Sequence, residues 1–268
     1  DAVLLGDGAD VVEAQVHVSR LAVRRNAVGA SGWWNGANFD TISDANHANG
    51  AGWLAAPVSV ESSTADWTFD ASGIGFTHGV EYSLNARATD YANNLSPVVA
   101  TFTFVYDNRK PTATVTVPFI DPFLVISQLP VVMGTATDEV LLDRVEVRIK
   151  RNDGINLYWS PGDYNSTYDQ RFNLGEVSAA AWFPAAGTVS WSTGTFPSDF
   201  FRNSMSYQVH SRAVDKAGNV SAVSVSSFAF TNLLPRTYVV TPSTRALSQW
   251  PGIAGTAIDD NASVSTVS

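Results

Sequence analysis

The chain has 268 residues, 45% hydrophobic, 15% charged and 11% aromatic, which is too apolar for a disordered polymer and long enough for about two domains. Its 16 basic residues against 25 acidic ones give a net charge of −9, which excludes the cationic surface that nucleic acid or anionic lipid requires. With no cysteine, disulfides, thiolate metal sites and cysteine nucleophiles are excluded together, and no apolar run of about 18 residues is present to span a membrane.

The N-terminus lacks the basic stretch of a signal peptide, and Gly6-Asp7-Gly8-Ala9-Asp10 reads as a strand-end turn. Val16 and Val18 then alternate around His17, the period-two pattern of a half-buried strand. An aromatic stretch follows, with Trp33, Trp34, Phe39 and Trp53. Residues 80–96, VEYSLNARATDYANNLS, form a strand closed by an Asn-rich turn, and 106–110 are a short linker. A Pro-led strand spans 111–118, with Val115 and Val117 alternating around Thr116, and Gly134-Thr135-Ala136-Thr137-Asp138 ends a second strand. Val145, Val147 and Ile149 alternate with Glu146, Arg148 and Lys150. Long loops or an added hairpin fall between Asn152 and Phe200 and carry Tyr158, Trp159, Tyr164, Tyr168, Trp182 and Phe183. Residues 205–221, MSYQVHSRAVDKAGNVS, lead through Val223, Val225 and Phe228 to a linker at 231–234, a strand at 235–242 and a last one at 252–259. No segment pairs a 3.6-residue period with capping signals.

An internal repeat organises these elements. Tyr82, Arg87, Asp90, Asn94 and Ser96 return 125 residues on as Tyr207, Arg212, Asp215, Asn219 and Ser221. The Pro-led strand and the Gly-Thr-Ala strand return at 235–242 and 255–259, and 5–10 parallels 133–138. The expected organisation is a first module over 1–107 lacking its Pro-led strand, a complete module over 108–232, and at 233–268 the opening strands of a third module or a donor tail. Many short strands with turn punctuation predict an all-β chain of tandem immunoglobulin-like antiparallel β-sandwiches, with little or no helix.

Arg212-Ala213-Val214-Asp215-Lys216-Ala217-Gly218-Asn219-Val220-Ser221, its partner over 87–96, and Gly134 to Asp138 after a Pro-led strand resemble the bacterial immunoglobulin-like repeats of large extracellular adhesins and cell-surface arrays. The resemblance implies a secreted, bacterial-type cell-surface location and a non-enzymatic structural or adhesive role, as a stalk or fibre component whose partners are neighbouring modules or copies of itself. It also implies Ca²⁺ at module junctions, held by Asp107, Asp138 and Asp215, with Asp10 and Asp90, and Asp259, at the other ends. The competing reading is that each Asp caps its own turn.

Two alternatives stay open. Pro235, Tyr238, Val239, Val240 and Pro242 form a strand that could be donated head to tail across the open edge of the next chain, making a filament. Tyr164 and Tyr168, in a polar Asn/Ser/Thr loop, are expected to be exposed rings able to stack on a surface glycan, against the reading that the recurring aromatics fill the core. His17 and His210 are expected on solvated strand faces. No His-Glu-x-x-His, Gly-x-Ser-x-Gly or Walker pattern is present, so enzyme roles have no motif support.

Overall fold

The computed structural model describes residues 16–39, 42–44, 47, 50–58, 66–97, 99–121, 124–243, 246–250 and 252–259. They divide between two compact units, Asp1–Arg109 and Lys110–Ser268. Among the described residues no helix is long and apolar enough to cross a membrane.

In the first unit β1 (Val16–Arg25), β2 (Gly32–Trp33), β3 (Leu54–Pro57), β4 (Glu81–Asp90) and β5 (Ala100–Val105) form one sheet. Its order is β2-β1-β4-β5, with β3 also on β1, and every pairing is antiparallel. Leu21 and Val23, two apart and therefore on one face of β1, meet Trp34, Phe39, Ile74 and Tyr82 in a small core.

The second unit opens with β6 (Thr112–Val117), β7 (Val125–Ile126), β8 (Met133–Thr137) and β9 (Leu142–Arg151). The insertion follows as β10 (Tyr158–Trp159), a single helical turn α1 (Tyr168–Arg171), β11 (Phe172–Leu174), a 3₁₀ turn (Ala179–Ala181), β12 (Phe183–Pro184) and β13 (Ser190–Ser192). Then come β14 (Met205–Asp215) and β15 (Ser224–Phe230). One sheet runs β13-β8-β6; the other runs β11-β10-β9-β14-β15-β7, with β12 on β9. In immunoglobulin terms β6, β8 and β13 are strands A, B and E, facing β9, β14 and β15 as C, F and G. β7 lies parallel to β15, the one parallel pairing among the described strands.

The alternation read from the sequence builds the core. Val145, Val147 and Ile149 point inward from β9 and join Val115, Val132, Ala136, Trp159, Phe200, Tyr207, Val209 and Phe228. Each such fully buried aliphatic side chain contributes about 1.5–3 kcal/mol. Gly134 is required by a close approach: a Cβ there would stand 2.1 Å from the Trp191 indole and from the Thr114 carbonyl oxygen.

The two units share a register. Tyr82 sits opposite Arg25 and Leu84 opposite Val23, as Tyr207 sits opposite Arg151 and Val209 opposite Ile149. Beyond β15 the chain forms β16 (Arg236–Thr241) and β17 (Ala254–Ile258), a two-stranded antiparallel sheet whose side chains are largely exposed. The first two candidate donor residues lie just before and within β16, which is paired with β17 rather than extended alone.

Candidate functional site

The turn after the long strand is built identically in both units. At the end of β14, Asn219 donates its backbone N–H to Asp215 Oδ1 and its side-chain amide to Asp215 Oδ2, both at 2.8 Å. Asn94 does the same to Asp90 after β4, at 2.8 and 2.9 Å. Ser221 and Ser96 complete the loop, their hydroxyls accepting from the Ala213 and Ala88 N–H groups at 2.9 and 3.2 Å. The left-handed residue is Gly218 (φ 92°) in one copy and Asn93 (φ 64°) in the other, the two residue types that tolerate φ > 0 most readily. The Asn94 hydrogen bonds hold the Asp90 carboxyl below its ordinary range, because they stabilise the charged form.

The other proposed ligands divide by unit. In the second, Asp138 Oδ2 accepts from the Val140 and Leu141 N–H groups at 2.7 and 2.9 Å, closing the turn between β8 and β9. Asp138 and Asp215 present carboxylate oxygens within 4.8 Å of each other. Two hard anionic oxygens supply part of the roughly six to eight that Ca²⁺ takes, and each also serves its own turn. In the first unit Asp107 lies 3.1 Å from His78 Nδ1 and accepts from the Arg109 N–H. Asp259 is half-buried just past β17, and Asp10 lies outside the described residues.

A second repeated feature is a tyrosine near the start of each long strand. Tyr207 Oη accepts from the Arg202 N–H, and Tyr82 Oη from the Thr77 N–H, both at 2.9 Å and both five residues upstream. This is the tyrosine corner of immunoglobulin-like sandwiches, which ties the E–F crossover to strand F. Each corner ring stacks on a phenylalanine of the next strand, Tyr82 on Phe104 and Tyr207 on Phe228.

Tyr164 and Tyr168 are not the exposed rings expected from their polar loop. Tyr168 Oη lies 2.7 Å from Tyr207 Oη, and its ring packs on Phe172. Tyr164 packs on Trp159 and Phe200. The polar residues around them turn the chain: Thr167 N–H donates to Gln170 Oε1 and starts α1, which points Tyr168 back at the core. Burial pushes both hydroxyls up from the usual tyrosine range.

His210 also departs from expectation. It is buried, and Arg148 Nε donates to its Nδ1 at 3.1 Å. Around it Arg148 Nη2 meets Glu176 Oε1, and Tyr158 Oη donates to Glu176 Oε2 at 2.6 Å. Desolvation and the Arg148 charge push the imidazole down to about 4. The His17 side chain lies outside the described residues. His47 is slotted between Trp33 and Trp53, with ring centroids at 3.4 and 5.0 Å.

Sequence reasoning matched Arg87 with Arg212 but missed the indole beneath each, Trp53 in one unit and Trp182 in the other. Arg87 lies 4.0 Å over the Trp53 ring and Arg212 4.2 Å over the Trp182 ring, with Arg148 on the same indole. Two residue types recurring together at nearly one interval were the available signal.

No family model matches the chain, and no curated protein matches it. Among solved structures it is similar to the fibronectin(III)-like modules of CbhA from Clostridium thermocellum, at 13% identity and a TM-score of 0.37, over 84% of this chain and 85% of that one. The strand order and the paired corners, rather than that distant likeness, define the class: an all-β chain of immunoglobulin-like antiparallel sandwiches.

Proposed function

We propose that the chain is a non-enzymatic spacer from an extracellular, bacterial-type surface protein, in which immunoglobulin-like modules in tandem carry a binding tip or build a fibre. The observation that supports it most is the bond-for-bond recurrence of the Asp-capped turn and the tyrosine corner. The recurring polar side chains are those that hold a sandwich together, the pattern selected when the module itself is the product. Linkers at 106–110 and 231–234 then set reach and stiffness.

Single-molecule pulling tests the reading. A spacer of independent sandwiches unfolds in separate steps, each releasing roughly 40 nm of chain for a module of about 120 residues at ~3.6 Å per residue. A single event spanning both units, or extension without resisting steps, would overturn it.

A further inference from the structure

Four Asn-x-Ser/Thr triplets occur in the sequence, at Asn94, Asn165, Asn219 and Asn261, the acceptor pattern for N-linked glycans. Asn261 lies outside the described residues. The other three differ in what their side chains already do.

At Asn94 and Asn219 the triplet is a by-product of the Asp-capped turn. Each amide donates to its aspartate, Asn94 Nδ2 to Asp90 Oδ2 at 2.9 Å and Asn219 Nδ2 to Asp215 Oδ2 at 2.8 Å. The serine two places on is spent as well: Ser96 Oγ accepts from the Ala88 N–H, while Ser221 Oγ accepts from the Ala213 N–H and donates to the Ala222 carbonyl. A glycan-transferring enzyme engages both the amide and that hydroxyl, so at these two sites it has to break the turn first.

Asn165 is arranged the other way. It lies in the loop between β10 and α1, exposed and with no side-chain hydrogen bond among the described residues. The loop is held from inside. The buried Arg171 donates to the Tyr164 carbonyl at 3.3 Å and to the Ser166 carbonyl at 2.9 Å, one on each side of Asn165. Trp159 Nε1 donates to the Asp163 carbonyl at 3.1 Å, and Asp163 Oδ1 accepts from the Ser166 N–H at 3.0 Å. Asn165 is thus the outward side chain of an anchored turn. Thr167, two places on, is also exposed, and its hydroxyl bond to Gln170 Oε1 lies at the surface, where another partner can replace it at small cost. Asp163 stands two residues before Asn165 and supplies the acid that bacterial oligosaccharyltransferases select there; the capped turns have Ala92 and Ala217 at that place.

We propose that Asn165 is an N-glycan acceptor, the donor being an oligosaccharide carried on a polyprenyl diphosphate. In the transfer Asn165 Nδ2 attacks the anomeric carbon. The nitrogen–carbon bond forms and the bond from that carbon to the diphosphate oxygen breaks; polyprenyl diphosphate departs with the electron pair, and one Nδ2 proton passes to a base of the transferring enzyme. The sugar then stands over the 152–200 insertion, and the core packing of Tyr164 and Tyr168 is left as it is. Such transfer takes place outside the cytoplasm, so the proposal rests on the extracellular reading above, whereas the assay that tests it does not.

The full folded chain is incubated with a polyprenyl-diphosphate oligosaccharide and a single-subunit oligosaccharyltransferase indifferent to the acid, so that the triplets compete on equal terms. Peptide mapping by mass spectrometry reads each site. An amide held by one charge-assisted bond is free about a tenth of the time or less, so Asn165 is expected to be modified at least about tenfold faster than Asn94 or Asn219. Thr167→Ala should abolish the modification at Asn165 and Thr167→Ser should keep it, which separates the acceptor role of the hydroxyl from its place in the helical turn. A bare Asn165, or equal rates at Asn94 and Asn219, defeats the proposal and leaves the spacer reading standing.

Discussion

Tyr207→Phe isolates the tyrosine corner, because it removes one oxygen and leaves the stacked ring in place. That oxygen accepts the Arg202 N–H and shares a hydrogen bond with Tyr168 Oη. The Arg202 amide sits near the surface, so water recovers part of its bond and the loss falls at the low end, about 1 kcal/mol. Stranding the half-buried Tyr168 hydroxyl adds about 1 kcal/mol more. Tyr82 Oη has only the Thr77 N–H as a described partner, so Tyr82→Phe should cost about half as much. At roughly 4 °C per kcal/mol for a module of this size, calorimetry should show the second unit's transition falling by about 8 °C and the first unit's by about 4 °C, each without moving the other. Tyr168→Phe combined with Tyr207→Phe should cost less than the two single changes together, because both break one shared bond. A Tyr207→Phe transition within a degree of the parent would refute the corner as an energetic tie.

Three further outcomes follow from the same contacts. Asp215→Ala removes both bonds to Asn219 from a buried carboxylate and should cost about 2–3 kcal/mol in urea denaturation, more than Asp90→Ala in the exposed copy of the turn. His210, with its folded pKa depressed to about 4 from 6.5, binds fewer protons folded than unfolded between those values, so stability falls as pH drops through that window. From pH 7 to 5 the loss should be about 2 kcal/mol, absent in His210→Gln, and equal slopes for the two proteins would discard it. Millimolar Ca²⁺ against chelator addresses Asp138 and Asp215: a site with Kd near 0.1 mM would add about 1.4 kcal/mol at 1 mM and raise the melting temperature by several degrees, whereas an unmoved melt leaves both carboxylates as turn caps.

What could be read in the sequence was local. The Asp-x-x-x-Asn-x-Ser spacing encodes a turn whose bonds span only four to eight residues, so both copies were visible as text before any packing was known. The long strands were equally legible, since alternation in 145–150 names the inward residues directly. Alternation does not say what covers the outer face. His210 points outward from β14, yet the 152–200 insertion lays Tyr158 and Glu176 over it and Arg148 reaches it from β9. Tyr168 was misread for the same reason, because its partner Tyr207 lies 39 residues away and the polar residues beside it serve the start of a helical turn.

The chain has no cysteine, so the corners and the arginine–indole stacks fasten its loops to its strands without sulfur bridges. A sandwich fastened by phenol and guanidinium groups is indifferent to the thiol poise of its surroundings and needs no oxidative enzyme to mature. Its weak points shift accordingly, from reductants to whatever attacks indole rings, and photo-oxidation at Trp53 and Trp182 should loosen the stacks that Arg87 and Arg212 make on them.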